Sequence, residues 1–292
     1  MEISSSFVDS RLKDYDTEVT WRATMNYAAS IGDNNPYYFD DEREHGVIAP
    51  PAFSVALTWP ISERIWDYIE APNFPKEIIA TQVHYTEHLS FHRPVRPGDR
   101  LKIRGRIAAI LPHNAGTHII IRFDAVDRED SPVFTEHIGA MMRGVRCTDE
   151  GRGAKNLPKV PGFSGNSSPI WETAIPIDSL QPFVYDGCTN IFFPIHTSVK
   201  FAHEVGLPGR ILQGTATLAY ALSELIDKEA GGNTFELKSA YCRFTGMVLP
   251  GTTIRVQLIK KDSSSEGTDL FFVVLNADGQ KAISNGYVRL EK

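Results

Sequence analysis

Cysteine is scarce in this sequence, with only three among 292 residues. Cys147, Cys188 and Cys242 are far apart, and no two of them form a C-x-x-C pair. An odd number of widely spaced cysteines provides neither a disulfide framework nor a cysteine zinc site. The composition therefore favours a reducing compartment.

Positive charge is not concentrated anywhere in the chain. There are 30 Lys and Arg against 36 Asp and Glu, a formal net charge of −6, without a basic block. Nucleic-acid binding is not expected, because it requires clustered cations. No apolar run approaches the roughly 20 residues needed to cross a bilayer, and the N-terminus lacks the pattern of a secretory signal. We therefore expect a cytoplasmic protein without a nucleic-acid or membrane partner.

The motifs of several enzyme classes are missing as well. The chain has no GxGxxG or GxxxxGK[ST] nucleotide loop and no GxSxG elbow of a serine hydrolase. His84, His88 and His92 are spaced four apart, and the residues around them alternate as in a strand. Side chains at this spacing share one face of a regular strand, so a metal site there is an alternative to our expectation of none.

The sequence does contain an internal repeat. Residues 33–38, DNNPYY, resemble residues 190–196, NIFFPIH, with the two prolines 158 positions apart. Residues 91–99, FHRPVRPGD, resemble residues 244–252, FTGMVLPGT, at an offset of 153. The elements follow in the same order in both halves, which predicts two copies of one fold of about 130–150 residues each.

A segment without periodicity separates the two copies. Residues 148–168 are rich in Gly, Pro and Ser, which is typical of a linker. The predicted domains are therefore residues 1–147 and 169–292.

Each half is predicted to contain helices followed by antiparallel strands. In the first half, Thr20 caps a helix over Trp21–Ile31, and Pro50-Pro51 opens another that is interrupted at Pro60. The predicted strands of this half are Leu101–Ile107, His118–Val126 and Phe134–Val145.

The second half repeats this order. A short helix is predicted over Ser179–Tyr185, and a longer one with a single apolar stripe begins at Gly214. The predicted strands are Ile254–Leu258, Leu270–Leu275 and Ile283–Leu290, with a hairpin turn at Asp278-Gly279. A central apolar helix needs a curved sheet to cover it, so the expected class is α+β with about six strands per half.

Several motifs resemble the MaoC-like (R)-specific enoyl-CoA hydratases. These are GDNNP at residues 32–36, PIHTS at 194–198, GLPGRILQG at 206–214, and the turns VRPG at 95–98 and VLPG at 248–251. The resemblance covers nearly the whole chain. It implies two tandem hot-dog domains, each with an antiparallel curved sheet wrapped around a central helix. It also implies a hydratase or dehydratase of 2-enoyl and 3-hydroxyacyl thioesters.

The family motif, approximately Gly-Asp-x-Asn-Pro-x-His-x-Asp, is incomplete in both halves. The second half retains His196, but Ile191 occupies the aspartate position and Phe193 the asparagine position. The first half retains Asp33 and Asn35, but Tyr38 replaces the histidine. We therefore interpret the first motif as degenerate, with an acyl-pocket or structural role for the first half, and the second half as the active-site half.

Hydration of an enoyl thioester needs a base for water, a proton for C2 and stabilisation of the thioester oxygen. His196 has a suitable intrinsic pKa and is the candidate base, with a structural histidine as the alternative. The backbone N–H of Gly214, at a helix start, is the candidate that holds the thioester oxygen. Asn190 could hold water or cap a helix, and Asp186 or Asp33 could supply the missing carboxylate.

The remaining candidates concern substrate binding. Gln213 and Thr215 flank Gly214 and are expected to position water or the acyl chain, with helix capping by Thr215 as the alternative. Arg210, with Lys200 and Arg243, could bind the anionic end of coenzyme A. No cofactor is expected beyond the coenzyme A or acyl carrier protein of the substrate, and a homodimer is possible.

Two other functional classes are alternatives for a hot-dog protein. A thioesterase is disfavoured, because residues 214–220 at the start of the central helix contain no carboxylate. The main alternative is a non-catalytic acyl-thioester-binding protein or a silent hot-dog partner subunit, which the missing aspartate favours.

Overall fold

The computed structural model describes residues 1–162 and 168–291. Its twelve strands there are β1 Glu2–Ile3, β2 Tyr15–Glu18, β3 Gln82–Phe91, β4 Arg100–His113, β5 Gly116–Val126, β6 Pro132–Arg143, β7 Arg146–Cys147, β8 Trp171–Pro176, β9 Leu237–Phe244, β10 Thr253–Ser264, β11 Gly267–Leu275 and β12 Lys281–Leu290. Its α-helices are α1 Trp21–Ser30, α2 Phe53–Glu63, α3 Ile65–Tyr68, α4 Gln181–Thr189, α5 Pro194–Thr197, α6 Val199–Glu204 and α7 Gly214–Ala230.

Ten of the strands form one antiparallel sheet in the order β2-β4-β5-β6-β3-β9-β12-β11-β10-β8. Each half of the chain contributes five of these strands, close to the approximately six expected. The short strands β1 and β7 form a separate parallel pair. The α+β class predicted from the sequence is confirmed.

The two halves join at strands β3 and β9, and the register shows an approximate twofold axis. His88 lies opposite Tyr241, and these residues are 153 positions apart, as in the sequence repeat. Pairs on either side of them are symmetric: Thr86 is opposite Arg243, and Ser90 is opposite Ser239. The repeat found in the sequence is therefore expressed as two equivalent halves of one continuous sheet.

Helix α7 is the most extensively buried helix of the described chain. Ten of its 17 residues are buried, and Gly231, in the left-handed conformation, ends it. The apolar stripe predicted from Gly214 is confirmed. In the hot-dog arrangement the helix packs against the curved sheet, which gives its apolar residues a surface to cover.

Several predicted boundaries need correction. Helix α1 has the predicted Thr20 cap but ends at Ser30. Helix α2 runs through Pro60 instead of stopping there, because a helical proline removes only one N–H and the surrounding side chains are buried. Helix α4 lies about two residues later than predicted at its start and extends to Thr189.

Most of the predicted strands are longer in the structure than the sequence indicated. Strand β4 extends past Ile107 to His113, because a bulge between Ile107 and Ala109 lets the ladder continue beyond the regular alternation. The turn containing Asp278-Gly279 connects β11 and β12 as predicted, with Gly279 at φ 75°. The proposed linker contains one helical turn, Ala154–Asn156, and residues 163–167 within it lie outside the described residues.

Candidate active site

His196 lies on the single-turn helix α5, with Pro194 in the first turn. Its Nδ1 is 2.8 Å from the carbonyl oxygen of Ile211. A carbonyl only accepts, so Nδ1 carries the proton and Nε2 is left as the basic nitrogen. Burial lowers the pKa of His196 to about 4, although the bond to Ile211 acts in the opposite direction. The imidazole is therefore neutral at neutral pH, in the state a general base requires.

The carbonyl that holds His196 lies three residues before the start of α7. No side chain caps this helix at Gln213. The N–H groups of its first turn therefore remain available to an acceptor, and the helix dipole favours negative charge at the same point. A Cβ on Gly214 would lie 3.1 Å from the ring of Phe244, so glycine keeps this approach open.

Gln213 is only 1% exposed and points its amide inward. Its Nε2 donates to the carbonyl of Pro182 at 3.0 Å, while Oε1 has no partner in the described part of the chain. A buried acceptor without a donor is unfavourable and calls for an explanation. Next to the start of α7, this oxygen is suited to accept from a bound water or ligand.

The alternative interpretation, in which Thr215 caps α7, is wrong, because no side chain caps this helix. Its hydroxyl accepts a hydrogen bond from the hydroxyl of Tyr185 at 3.1 Å. Tyr185 in turn lies 2.9 Å from the hydroxyl of Tyr27. These tyrosines occupy equivalent positions of the repeat, 158 residues apart, and both are fully buried.

Asn190 ends helix α4 in the left-handed conformation, with φ 57°. Its backbone N–H donates to the carbonyl of Asp186 at 3.0 Å, and its side chain is exposed. Asparagine is one of the few residues other than glycine that adopts this conformation readily, and glycine is the motif residue at this position. The capping interpretation of Asn190 thus has a structural basis. The side chain of Asp186 is partly buried, and burial raises its pKa.

Asn190→Gly is expected to retain the stability of the wild type, whereas Asn190→Ala should cost about 1–2 kcal/mol, because alanine keeps the β-carbon that opposes the left-handed conformation and lacks the short polar side chain that lets asparagine adopt it. Urea unfolding of the two variants measures this difference. Equal destabilisation by both would show that the amide contributes a contact of its own. Turnover by Asn190→Gly then shows whether the amide also assists the reaction.

The candidate cations differ in their surroundings. The guanidinium of Arg210 lies 4.8 Å from the ring centre of Phe183, on the outer side of α4. Lys200 is highly exposed and 3.9 Å from Glu204. Arg243 donates to the hydroxyl of Tyr241 at 3.1 Å on the central strand β9. The three therefore do not form one cluster, and Arg210 is the one placed beside the segment that leads to Gly214.

The first-half motif lies against the C-terminal part of α7. Asp33 accepts from the backbone of Asn35 at 3.0 Å and is hydrogen-bonded to Ser223, and burial raises its pKa. Ser223 is nine residues beyond Gly214, which corresponds to about 13 Å along a helix. Asp33 is therefore remote from the start of α7.

The other members of this motif connect the two halves. Asn35 donates through Nδ2 to the carbonyl of Gly232 at 2.8 Å. The hydroxyl of Tyr38 lies 2.9 Å from that of Thr234, and Tyr38 is 1% exposed. These contacts support the interpretation of the first motif as a structural remnant.

The three evenly spaced histidines, His84 and His88 on β3 and His92 just after it, are not on one face. A bulge between His84 and Thr86 reverses the alternation, so that His84 lies beside Glu87 while His92 lies beside Thr135. Within residues 1–162 and 168–291, no three His, Cys, Asp or Glu side chains are arranged to hold a metal ion.

A set of buried polar residues in the interior was not predicted from the sequence. Besides Tyr27 and Tyr185, these are Glu87 on β3 and Glu136 on β6, both 0% exposed. A signal was present: each glutamate stands where the period-two pattern of its strand calls for an apolar residue.

Comparisons with known proteins agree with this architecture. Residues 167–276 match the family described as "MaoC like domain", and residues 6–136 match "FAS1-like, dehydratase domain region". The structure of a MaoC-like dehydratase from Phytophthora capsici has a TM-score of 0.83 at 21% identity, with 98% of each chain covered. A Mycobacterium tuberculosis protein described as having a double hot-dog fold has a TM-score of 0.62 at 15% identity, covering 98% of this chain and 96% of that one.

The similar sequences include a protein of comparable length and much longer ones. Enoyl-CoA hydratase ChsH3 of Mycobacterium tuberculosis is 23% identical over 83% of this chain and 85% of its own length. Peroxisomal multifunctional enzyme type 2 of Drosophila melanogaster is 33% identical over 72% of this chain, which spans 34% of that enzyme. The chain spans only 6% of the fatty acid synthase subunit beta of Aspergillus oryzae, at 33% identity over 41% of this chain.

The chain belongs to the MaoC-like hydratase and dehydratase family and has a double hot-dog fold. In the described residues, each helix is too short or too polar to span a bilayer.

Proposed function

We propose that the protein is a hydro-lyase that adds water to, or removes it from, C2–C3 of an acyl thioester carried on coenzyme A or an acyl carrier protein. The observation that carries this proposal is the bond from His196 Nδ1 to Ile211. It fixes the tautomer in which Nε2 is the basic nitrogen, beside the chain segment that leads into the uncapped start of α7, while burial keeps the imidazole neutral. Family membership supports the reaction type, and the names of ChsH3 and the peroxisomal enzyme support a coenzyme A thioester.

In this mechanism Nε2 of His196 takes a proton from water as the oxygen of that water attacks C3. The N–H of Gly214 donates to the thioester oxygen as negative charge develops there, assisted by the helix dipole. Oε1 of Gln213 and the polar groups of Asp186 and Asn190 are the candidates that orient the water. Arg210 is the candidate for the anionic part of the carrier.

A non-catalytic thioester-binding protein is the second candidate function. Ile191 is 2% exposed at the position where the family motif has its aspartate, so that side chain provides no proton-transfer group. A binding protein would keep the groups around Gly214 and have no need of a base.

Turnover decides between these two functions. We expect the wild type to hydrate 2-enoyl-CoA, measured as loss of the ultraviolet absorbance of the enoyl thioester over short, medium and branched acyl chains. Saturable binding of the same compounds, detected by calorimetry without any loss of absorbance across the series, would support the binding protein instead.

A further inference from the structure

A chain of hydroxyl groups runs through the buried interior to the start of α7. The Tyr27 and Tyr185 hydroxyls are 2.9 Å apart, and Tyr185 donates to Thr215 Oγ1 at 3.1 Å. Tyr27 and Tyr185 are 0% exposed and Thr215 is 4% exposed. Because Thr215 follows Gly214 directly, the chain ends beside the N–H group proposed to hold the thioester oxygen.

A pair of carboxyl groups lies behind this chain. Glu87 and Glu136 are on paired strands, where Glu136 is opposite Leu89, and both carboxyl groups are fully buried. Burial raises the pKa of both well above that of an ordinary glutamate, which favours their protonated forms. Glu87 is close enough to Tyr27 to raise the pKa of its hydroxyl further.

His84 lies beside the carboxyl pair and is partly exposed. Its Nε2 is 3.0 Å from Oε2 of Glu87, and its side chain is 22% exposed, whereas Glu87 is fully buried. Burial lowers the pKa of His84 to about 4, so the imidazole is neutral and can both accept and donate a proton. The opposite face of the ring contacts Phe244, at 4.5 Å between ring centres, and Phe244 packs against Gly214.

Burial of the carboxyl pair is energetically unfavourable if its role is only structural. Two adjacent buried carboxyl groups are unfavourable compared with apolar side chains of similar volume. Such groups are concentrated at functional sites, where a proton must be stored or moved. The reaction proposed here needs a proton at C2, and the motif position that would hold a carboxylate contains Ile191.

We propose that Thr215 delivers the proton to C2 of the enoyl thioester and that Tyr185, Tyr27, Glu87 and Glu136 replenish it. This inference rests on the proposed hydratase function. In the forward direction the oxygen of water bonds to C3, and its proton passes to Nε2 of His196. The electron pair of the double bond forms a C2–H bond with the proton of the Thr215 hydroxyl.

The chain is then restored one proton at a time. Thr215 takes a proton from Tyr185, Tyr185 from Tyr27, and Tyr27 from the carboxyl pair. Glu87 regains a proton from solvent through His84, and His196 releases its own to solvent. One water molecule is consumed, and the protein returns to its initial protonation state.

Tyr185→Phe removes one oxygen from the chain and leaves the packing of the ring in place. We expect kcat to fall about 100-fold, as for loss of a general acid, with KM nearly unchanged. Tyr38→Phe is the matched control. It deletes an equally buried hydroxyl with one hydroxyl partner at 2.9 Å, at the remote first-half motif, and should leave kcat unchanged.

Thr215 provides a second test that does not depend on the folding of the tyrosine variants. Thr215→Ser retains the donor and should keep most of the turnover, whereas Thr215→Val has the same shape without a hydroxyl and should lose it. A purely structural role predicts the reverse order, because valine preserves the packing of the buried methyl group better than serine does.

Two outcomes separate this inference from the function it rests on. A wild type without turnover would overturn the proposed function, and the relay with it. An active wild type with full kcat in Tyr185→Phe and Thr215→Val would overturn the relay alone.

Infrared spectroscopy tests the carboxyl pair without turnover. The C=O band of a protonated acid should be present at neutral pH and diminished in Glu87→Gln. Absence of this band would overturn the role of the pair.

Discussion

His196→Gln is expected to lower kcat/KM for hydration of 2-enoyl-CoA by about 1,000-fold, within the range observed for loss of a general base. Glutamine is polar and of similar length, but its amide cannot take a proton from water. The substrate should continue to bind, because the N–H of Gly214 is unchanged. Loss of the enoyl-thioester absorbance measures the rate, and calorimetry with the same ester measures binding.

The pH dependence of the wild type provides an independent check on His196. The base must be unprotonated, and burial lowers its pKa to about 4. Activity should therefore be retained as the pH falls from 8 to 5 and be lost only below that, as the imidazole becomes charged. An acid limb centred near 6.5, the ordinary value for histidine, would contradict this assignment.

His203→Gln is the matched control for His196→Gln. His203 lies in the last turn of the neighbouring helix α6 and is exposed. The same substitution there should leave both the rate and the pH profile unchanged. Equal losses in the two variants would mean that the segment, rather than the base, had been disturbed.

Glu136→Gln is expected to stabilise the fold, and increasingly so as the pH rises. Burial raises the pKa of the wild-type carboxyl in the folded protein, whereas in the unfolded chain the same group ionises above about pH 4.5. Between these two pKa values the folded state binds more protons at Glu136 than the unfolded state does, so the contribution of Glu136 to the stability of the wild type falls with rising pH. Glutamine has the same shape without this dependence.

The stability difference between Glu136→Gln and the wild type should grow by roughly 1.4 kcal/mol per pH unit from about pH 4.5 up to the folded-state pKa. Urea unfolding at a series of pH values measures it. Taking the difference removes the opposite contribution of the histidines whose pKa is lowered by burial, which stabilise the fold as the pH rises from about 4 to 6.5. These are His84, His88, His118, His137 and His196.

Glu129→Gln is the control for this experiment. Glu129 is exposed in the turn between β5 and β6 and loses the same charge on substitution. Its stability difference from the wild type should be small and nearly independent of pH. A flat profile for Glu136→Gln as well would show that the buried carboxyl is ionised in the folded protein.

The sequence predicted the parts of the fold that depend on local pattern. The apolar stripe from Gly214 gave helix α7, and Thr20 gave the cap of α1, because helix periodicity and capping involve residues only a few positions apart. The predicted interruption of α2 at Pro60 was wrong, since a proline within a helix costs one hydrogen bond, and the burial of the surrounding residues offsets this loss. The predicted end of α4 was too early, because in the sequence the left-handed end of this helix at Asn190 resembles any other polar loop position.

The candidate site also has residues that local sequence motifs indicate and contacts that they do not. Sequence motifs identified His196 and Gly214 as candidates, since each stands in a recognisable local pattern. The bond from His196 to Ile211 joins residues 15 positions apart, and the contact between Tyr27 and Tyr185 spans 158. The bulge that separates His84 from His88 and His92 has no signature in the alternation of the sequence.

By itself, the sequence determined that this protein is a duplicated α+β fold with an incomplete family motif in each half. A repeated order of elements and an offset between similar motifs are properties of the chain alone. The tertiary structure alone decided which polar groups meet in the interior. Strand register brings Glu87 to Glu136, and the packing of α1 on α4 brings the two tyrosines together. These contacts depend on how distant segments align, and the side-chain pattern of either segment does not specify that alignment.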